Sequence, residues 1–171
     1  MAKASEPAWL LAARRSLGMR ETPGPGNTAG IMAMAKRVGL RWLGAAFNAD
    51  SVPWCGLAVA DWMLAAGIEP PKIALRAKAW ATWGANLRPA VLSPGAVLVF
   101  GREGGGHVAL YVGEDPLYYH VLGGNQSDAV TIMRIAKARL IASRWPRGVP
   151  VIGGPVRMSS LAGVPVSSNE A

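Results

Sequence analysis

A chain of 171 residues is long enough for one domain with a real hydrophobic core, and 51% hydrophobic against 16% charged residues excludes disorder throughout. Eighteen Lys and Arg against ten Asp and Glu give a formal charge of +8, which implies attraction to polyanions, whether nucleic acid or the carboxylates and phosphates of a bacterial envelope. The longest apolar stretch, residues 55–68, is broken by Asp61 and is too short to span a bilayer, so no transmembrane segment is expected.

The first seven residues lack the charged segment, apolar segment and cleavage site of a signal peptide, so synthesis in a cytoplasm without export is the expectation. Residues 5–17 read as a helix stopped by Gly18. A loop rich in turn residues follows, from Glu21 through Pro23, Gly24, Pro25 and Gly26 to Asn27. A second helix starts near Asn27 or Thr28. Its Ile31, Met34, Ala35 and Val38 form one apolar face, and Gly39 ends it. A third helix is expected around Pro53, with Asp50 or Ser51 as N-cap and Gly67 as its end. A fourth is expected over 73–83, ended by Gly84.

After Pro94 the character changes. Residues 96–100, 107–112, 117–122, 129–135 and 140–145 are short β-rich runs separated by glycine-rich turns. Helices first and consecutive strands after predict an α+β domain over residues 1–146, with N-terminal helices packed on an antiparallel sheet of about five strands. From Arg147 the Gly-, Pro- and Ser-rich residues 147–171 read as an extended or mobile tail.

Cys55 is the only cysteine, so it forms no internal disulfide. A free cysteine usually serves as a small buried hydrophobe. Here, however, Pro53 and Trp54 place it in the first turn of the third helix, where unpaired N–H groups and the helix dipole favour a thiolate. Fifty-two residues later (107 − 55), His107 follows three glycines and opens an apolar strand. A thiol nucleophile needs a nearby base, and the base needs a third group to fix its tautomer. Two residues compete for that third place: Asn125, just past the following strand, and His120, within it. An asparagine beside glycines also suits a turn, and His120 beside Tyr118 and Tyr119 also suits a half-buried structural role.

Four stretches together resemble the CHAP family of cysteine, histidine-dependent amidohydrolases/peptidases and the related NlpC-like cell-wall peptidases. They are residues 20–25 (Arg-Glu-Thr-Pro-Gly-Pro), 53–55 (Pro-Trp-Cys), 106–113 (Gly-His-Val-Ala-Leu-Tyr-Val-Gly) and 122–128 (Leu-Gly-Gly-Asn-Gln-Ser-Asp); residues 144–146 (Arg-Trp-Pro) also fit. The resemblance covers roughly residues 7–146 and is nearest to small phage and prophage lysis-type proteins. It implies a papain-like fold and peptidoglycan as substrate. By it Cys55 matches the nucleophile, His107 the base and Asn125 the Asn of CHAP domains, while His120 could imitate the second histidine of NlpC-like enzymes. The acidic residue that can precede that Asn by two positions is Gly123 here.

The sequence thus leads to an endolysin-like monomer that cuts an amide of the cell wall, as a cysteine endopeptidase or a muramoyl-alanine amidase. It would act in the periplasm or outside, drawn to the anionic envelope, with Trp54 and Gln126 at the substrate. No cofactor, no metal and no nucleic-acid partner are expected. Two alternatives differ in class: a non-catalytic basic module binding envelope or nucleic acid, and a cysteine hydrolase of another acyl substrate. Against the first, the basic residues are spread over several elements rather than gathered in one stripe.

Overall fold

The helix that carries Cys55 is apolar on every side, and the fold is arranged around it. The computed structural model describes residues 6–159 and 164–167. Four helices come first: α1 (Ala8–Arg15), α2 (Ala29–Val38), α3 (Leu40–Leu43) and α4 (Cys55–Ala65). A helix hydrophobic all round must be covered all round. In α4 every residue from Cys55 to Met63 is buried, between α1 and α2 on one side and the sheet on the other. Leu57, Val59 and Met63 have no exposed surface, and burial of each stabilises by about 1.5–3 kcal/mol. The one carboxylate on this helix, Asp61, is held by the Arg37 guanidinium at 2.8 and 2.9 Å.

The strands are β1 (Ala85–Asn86), β2 (Val97–Arg102), β3 (Gly105–Glu114), β4 (Tyr118–Gly123), β5 (Thr131–Ala136) and β6 (Leu140–Trp145). They form one antiparallel sheet in the order β1-β6-β2-β3-β4-β5. The fold is α+β, with the helices packed on an antiparallel sheet as expected. The short edge strand β1 adds a sixth member to the five foreseen. Strands β2 and β3 are joined at Glu103–Gly104, so most of the glycine-rich segment expected as a loop is paired: Gly101 faces Gly106 and Arg102 faces Gly105. Gly104 takes φ +74°, which only glycine adopts freely. A tryptophan ties α1 to the sheet: Trp9 donates from Nε1 to the Gly95 carbonyl at 2.7 Å and stands edge-on to Trp145, ring centres 5.2 Å apart.

Two expectations are corrected. The residue preceding α4 is Trp54, and Asp50 does not cap that helix. Asp50 instead accepts from the backbone N–H groups of Thr22 (3.0 Å) and Thr28 (2.7 Å), pinning the 21–27 loop to the approach to α4. The expected fourth helix is a 3₁₀ turn at Ala77–Thr82, preceded by irregular chain in which Ile73 takes φ +61°. A β-branched residue in that conformation interrupts a helix. The described residues after Arg147 form no helix or strand and are hydrogen-bonded to the domain. Glu114 exchanges backbone hydrogen bonds with Val156 (2.8 Å) and Met158 (2.7 Å), and the Val156 N–H donates to the Tyr111 hydroxyl (3.0 Å). Arg134 does the same with Pro165 and Ser167. No described helix is long and apolar enough to cross a membrane.

Candidate active site

Cys55 is the first residue of α4, and its backbone N–H lies in the helical turn that has no intrahelical acceptor. The residue is 4% exposed and lies in a cleft of about 350 Å³ whose walls also include Val52, Pro53, Leu75, Arg76, Lys78, Arg102 and Gly104 to Gly106. Burial pushes the Cys55 thiol above its ordinary pKa. The backbone N–H groups of Val108 and Gly56, and the Arg102 charge, pull the other way and are outweighed. The helix-start effect foreseen in the sequence is therefore present but does not win. A neutral resting thiol needs a base to take its proton during attack.

The Val108 amide that reaches Cys55 belongs to the residue after His107. His107 is fully buried on β3, and its Nε2 lies 2.9 Å from Oε1 of Gln126. The Gln126 amide nitrogen points at two carbonyls, Thr131 O (2.8 Å) and Val121 O (3.4 Å), and at the Thr131 hydroxyl (3.2 Å). Carbonyls only accept, so the amide must place its nitrogen there and its oxygen toward His107. His107 Nε2 is thereby the N–H donor, and Nδ1 is left as the basic nitrogen.

Gln126 thus meets the histidine rather than lining the cleft, where the sequence had suggested a substrate contact. Asn125 sits one residue earlier, buried, at φ +57°, in a turn whose Ser127 and Asp128 also have positive φ. Asn tolerates that conformation better than most residues. His120 is turned away from the site. Val121 pairs with Tyr111, which shares the His107 face of β3, so the neighbouring His120 projects from the opposite face. There it meets Asp115, Nε2 to Oδ2 at 2.8 Å, both side chains fully buried. Trp54 is not at the cleft either. It is completely buried, with Nε1 donating to Glu21 Oε1 at 2.7 Å and its ring against Gly124. Burial, with Asp128 and Asp50 nearby, raises the Glu21 carboxyl above its usual range although the Trp54 bond opposes this.

The cleft cations Arg76, Lys78 and Arg102 were not foreseen as site residues. The only sequence signal was Arg102, standing at the glycine turn that leads into His107. Among the described residues no group of three or more His, Cys, Asp or Glu is placed to hold a metal ion.

Helices on an antiparallel sheet, with a cysteine at the start of the central helix packed on the histidine-bearing strand, define a papain-like α+β arrangement. No family model matches the chain, and no curated protein matches it. Among solved structures it is similar to the P60 domain of an antigen from M. avium paratuberculosis, at 17% identity and a TM-score of 0.48, over 83% of this chain and 91% of that one.

Proposed function

We propose that this chain is a cysteine hydrolase of bacterial peptidoglycan that cuts an amide bond, either between muramic acid and alanine or within the stem or bridge peptide. The observation that carries the reading is the convergence of Cys55 at the helix start, the His107 strand against it, and Gln126 behind the histidine. The combined Pro-Trp-Cys, Gly-His-Val and Leu-Gly-Gly-Asn-Gln stretches support the choice of substrate and a phage or prophage lysis role.

In this mechanism the Cys55 sulfur attacks the scissile carbonyl while His107 Nδ1 takes the thiol proton. The tetrahedral oxyanion is met by the Cys55 backbone N–H at the helix start. Collapse breaks the C–N bond, and His107 returns the proton to the leaving amine. The thioester is then hydrolysed by water that His107 deprotonates, which regenerates the thiol. Gln126 touches no reacting atom. It is a positioning residue that holds the imidazole in one tautomer, the place the sequence assigned to Asn125.

Purified peptidoglycan tests the reading. Wild-type protein lowers its turbidity and releases new termini that mass spectrometry assigns to one bond, while Cys55→Ala, folded by circular dichroism, does neither. Lysis by the folded Cys55→Ala protein overturns the mechanism.

A further inference from the structure

The cleft over Cys55 carries charge of one sign. Arg76, Lys78 and Arg102 line it, and among the described residues no Asp or Glu does. Two walls supply them. Arg76 and Lys78 come from the start of the 3₁₀ turn, and Arg102 from the end of β2. Two of the three bracket the residue before the catalytic histidine. Arg102 Nε donates to the Gly106 carbonyl at 3.3 Å, and the Lys78 stem passes so close to Gly106 that a Cβ there would lie 3.1 Å from it.

The other ion pairs of this protein show what is unusual here. Arg14 is matched with Glu6, Arg37 with Asp61, and Lys137 and Arg157 with Glu114. Among the described residues, none of the three cleft cations is matched with a carboxylate. Like charges gathered around one concavity repel, and they raise the local concentration of anions. An arginine fork suits a carboxylate in particular, because two parallel N–H groups meet two oxygens.

We propose that this cleft reads a free carboxylate beside the scissile amide, so that the substrate class is an acidic peptide and Arg76, Lys78 and Arg102 determine specificity. The cleavage part rests on the hydrolase reading above; the anion selectivity is a property of the cleft and is measurable at the thiol itself.

Iodoacetate and iodoacetamide make that measurement. Each loses iodide to the Cys55 thiolate, and they differ only in bearing a carboxylate or a carboxamide. The ratio of their rates on the full chain cancels the basicity of the thiol. It is taken at about pH 9.5, where imidazole is neutral, and compared with the same ratio for mercaptoethanol. The expected ratio for Cys55 exceeds that of mercaptoethanol by about tenfold, and falls toward it at 1 M salt, where the screening length is about 3 Å. In an Arg76→Gln, Lys78→Gln, Arg102→Gln variant it falls likewise at low salt. If the triple variant does not fold, Lys78→Gln and Arg102→Gln alone each lower the ratio by a smaller factor. A wild-type ratio equal to that of mercaptoethanol, or one untouched by these substitutions, overturns the proposal.

A pair of acyl peptides identical but for carboxylate or carboxamide beside the scissile bond separates the two readings. Preferential cleavage of the carboxylate form supports the proposal. Equal cleavage of both overturns it and leaves the hydrolase standing. Cleavage of neither counts against the hydrolase, while the alkylation ratio still decides what the cleft binds.

Discussion

The Gln126 amide nitrogen donates to the Thr131 carbonyl at 2.8 Å, and this turns Oε1 of the same amide to His107 Nε2, 2.9 Å away. A residue on β5 therefore sets the tautomer of a histidine on β3. Gln126→Ala should lower kcat on the order of a hundredfold with little change in KM, less than the ~10⁴-fold that a serine triad loses with its charged orienting group. Asn125→Gly should leave kcat near wild type, because glycine adopts φ +57° freely. Steady-state kinetics on a soluble peptidoglycan fragment distinguish the two. A dead Asn125→Gly beside an active Gln126→Ala would return the third role to Asn125.

Burial holds the Cys55 thiol above its ordinary range, so the thiolate is scarce at neutral pH without a base. His107→Ala should make alkylation of Cys55 by iodoacetamide slow at pH 7, with the rate recovering only as pH rises through the elevated thiol pKa. The sign follows from the direction of the shift: a raised acid pKa moves the appearance of the anion to higher pH. A His107→Ala protein that reacts at pH 7 as fast as wild type would remove the base from the mechanism.

Gly56 follows the nucleophile directly, and a Cβ there would collide with the Ala74 carbonyl oxygen and come within 2.8 Å of the Leu75 carbonyl oxygen. Backbone oxygens cannot swing aside as a side chain can. The 74–75 segment leads into Leu75 and Arg76 of the cleft wall, so it must shift. Gly56→Ala should cost about 1–3 kcal/mol of stability and lower activity as well. Urea unfolding together with turnover checks it, and wild-type values for both would show that the close approach relaxes without consequence.

The buried pair on the other face of the sheet should report on stability rather than catalysis. Burial raises the Asp115 carboxyl, but the bonds from His120, Leu117 and Tyr118 outweigh it and hold the pKa below the usual range. A carboxyl depressed in the folded state contributes stability that is full above its unfolded pKa and is lost as pH falls through the folded one. Acid unfolding should therefore carry an Asp115 component below the ordinary carboxylate range, absent in Asp115→Asn. His120→Ala, which leaves that carboxylate short of a buried partner, should cost roughly 2–4 kcal/mol while leaving kcat within a fewfold of wild type. A stable, catalytically dead His120→Ala would place His120 in the site after all.

Much of the architecture was legible because it rests on local patterns. Short β-rich runs, most of them separated by turn residues, located five of the six strands, and β6 falls where residues 140–145 predict it. Cys55 at a helix start was readable from Pro53 and the apolar run after it. What was not legible depends on which way a side chain turns. Trp54 adjoins Cys55 in the chain, yet buries itself against Glu21 and Gly124, brought there by distant parts of the sequence. The strand face that His120 occupies follows from the Tyr111–Val121 register, which pairs residues ten apart in the chain. That Gln126 reaches His107 depends on a turn with positive φ at Asn125, Ser127 and Asp128, which composition suggests only as a turn. The cleft cations converge from two separate segments, so no spacing rule reveals them.

The chain beyond Arg147 gives the last test. Composition marked it as separable, but its described part makes specific bonds: the Ser93 hydroxyl to the Ile152 carbonyl, Val156 to the Tyr111 hydroxyl, Val156 and Met158 to Glu114, and Arg157 to the Glu114 carboxylate at 3.0 Å. Each buried hydrogen bond is worth about 0.5–1.5 kcal/mol net, and the exposed Arg157 pair adds little. Deleting residues 150–171 should therefore lower stability by roughly 2–4 kcal/mol, read as a fall in the urea midpoint. None of the described residues of this segment lines the Cys55 cleft, so the truncated protein should still hydrolyse purified peptidoglycan below its lowered melting temperature. An unchanged midpoint would show that the strap is incidental to the fold. A folded but inactive truncation would show instead that the strap helps to hold His107 in place.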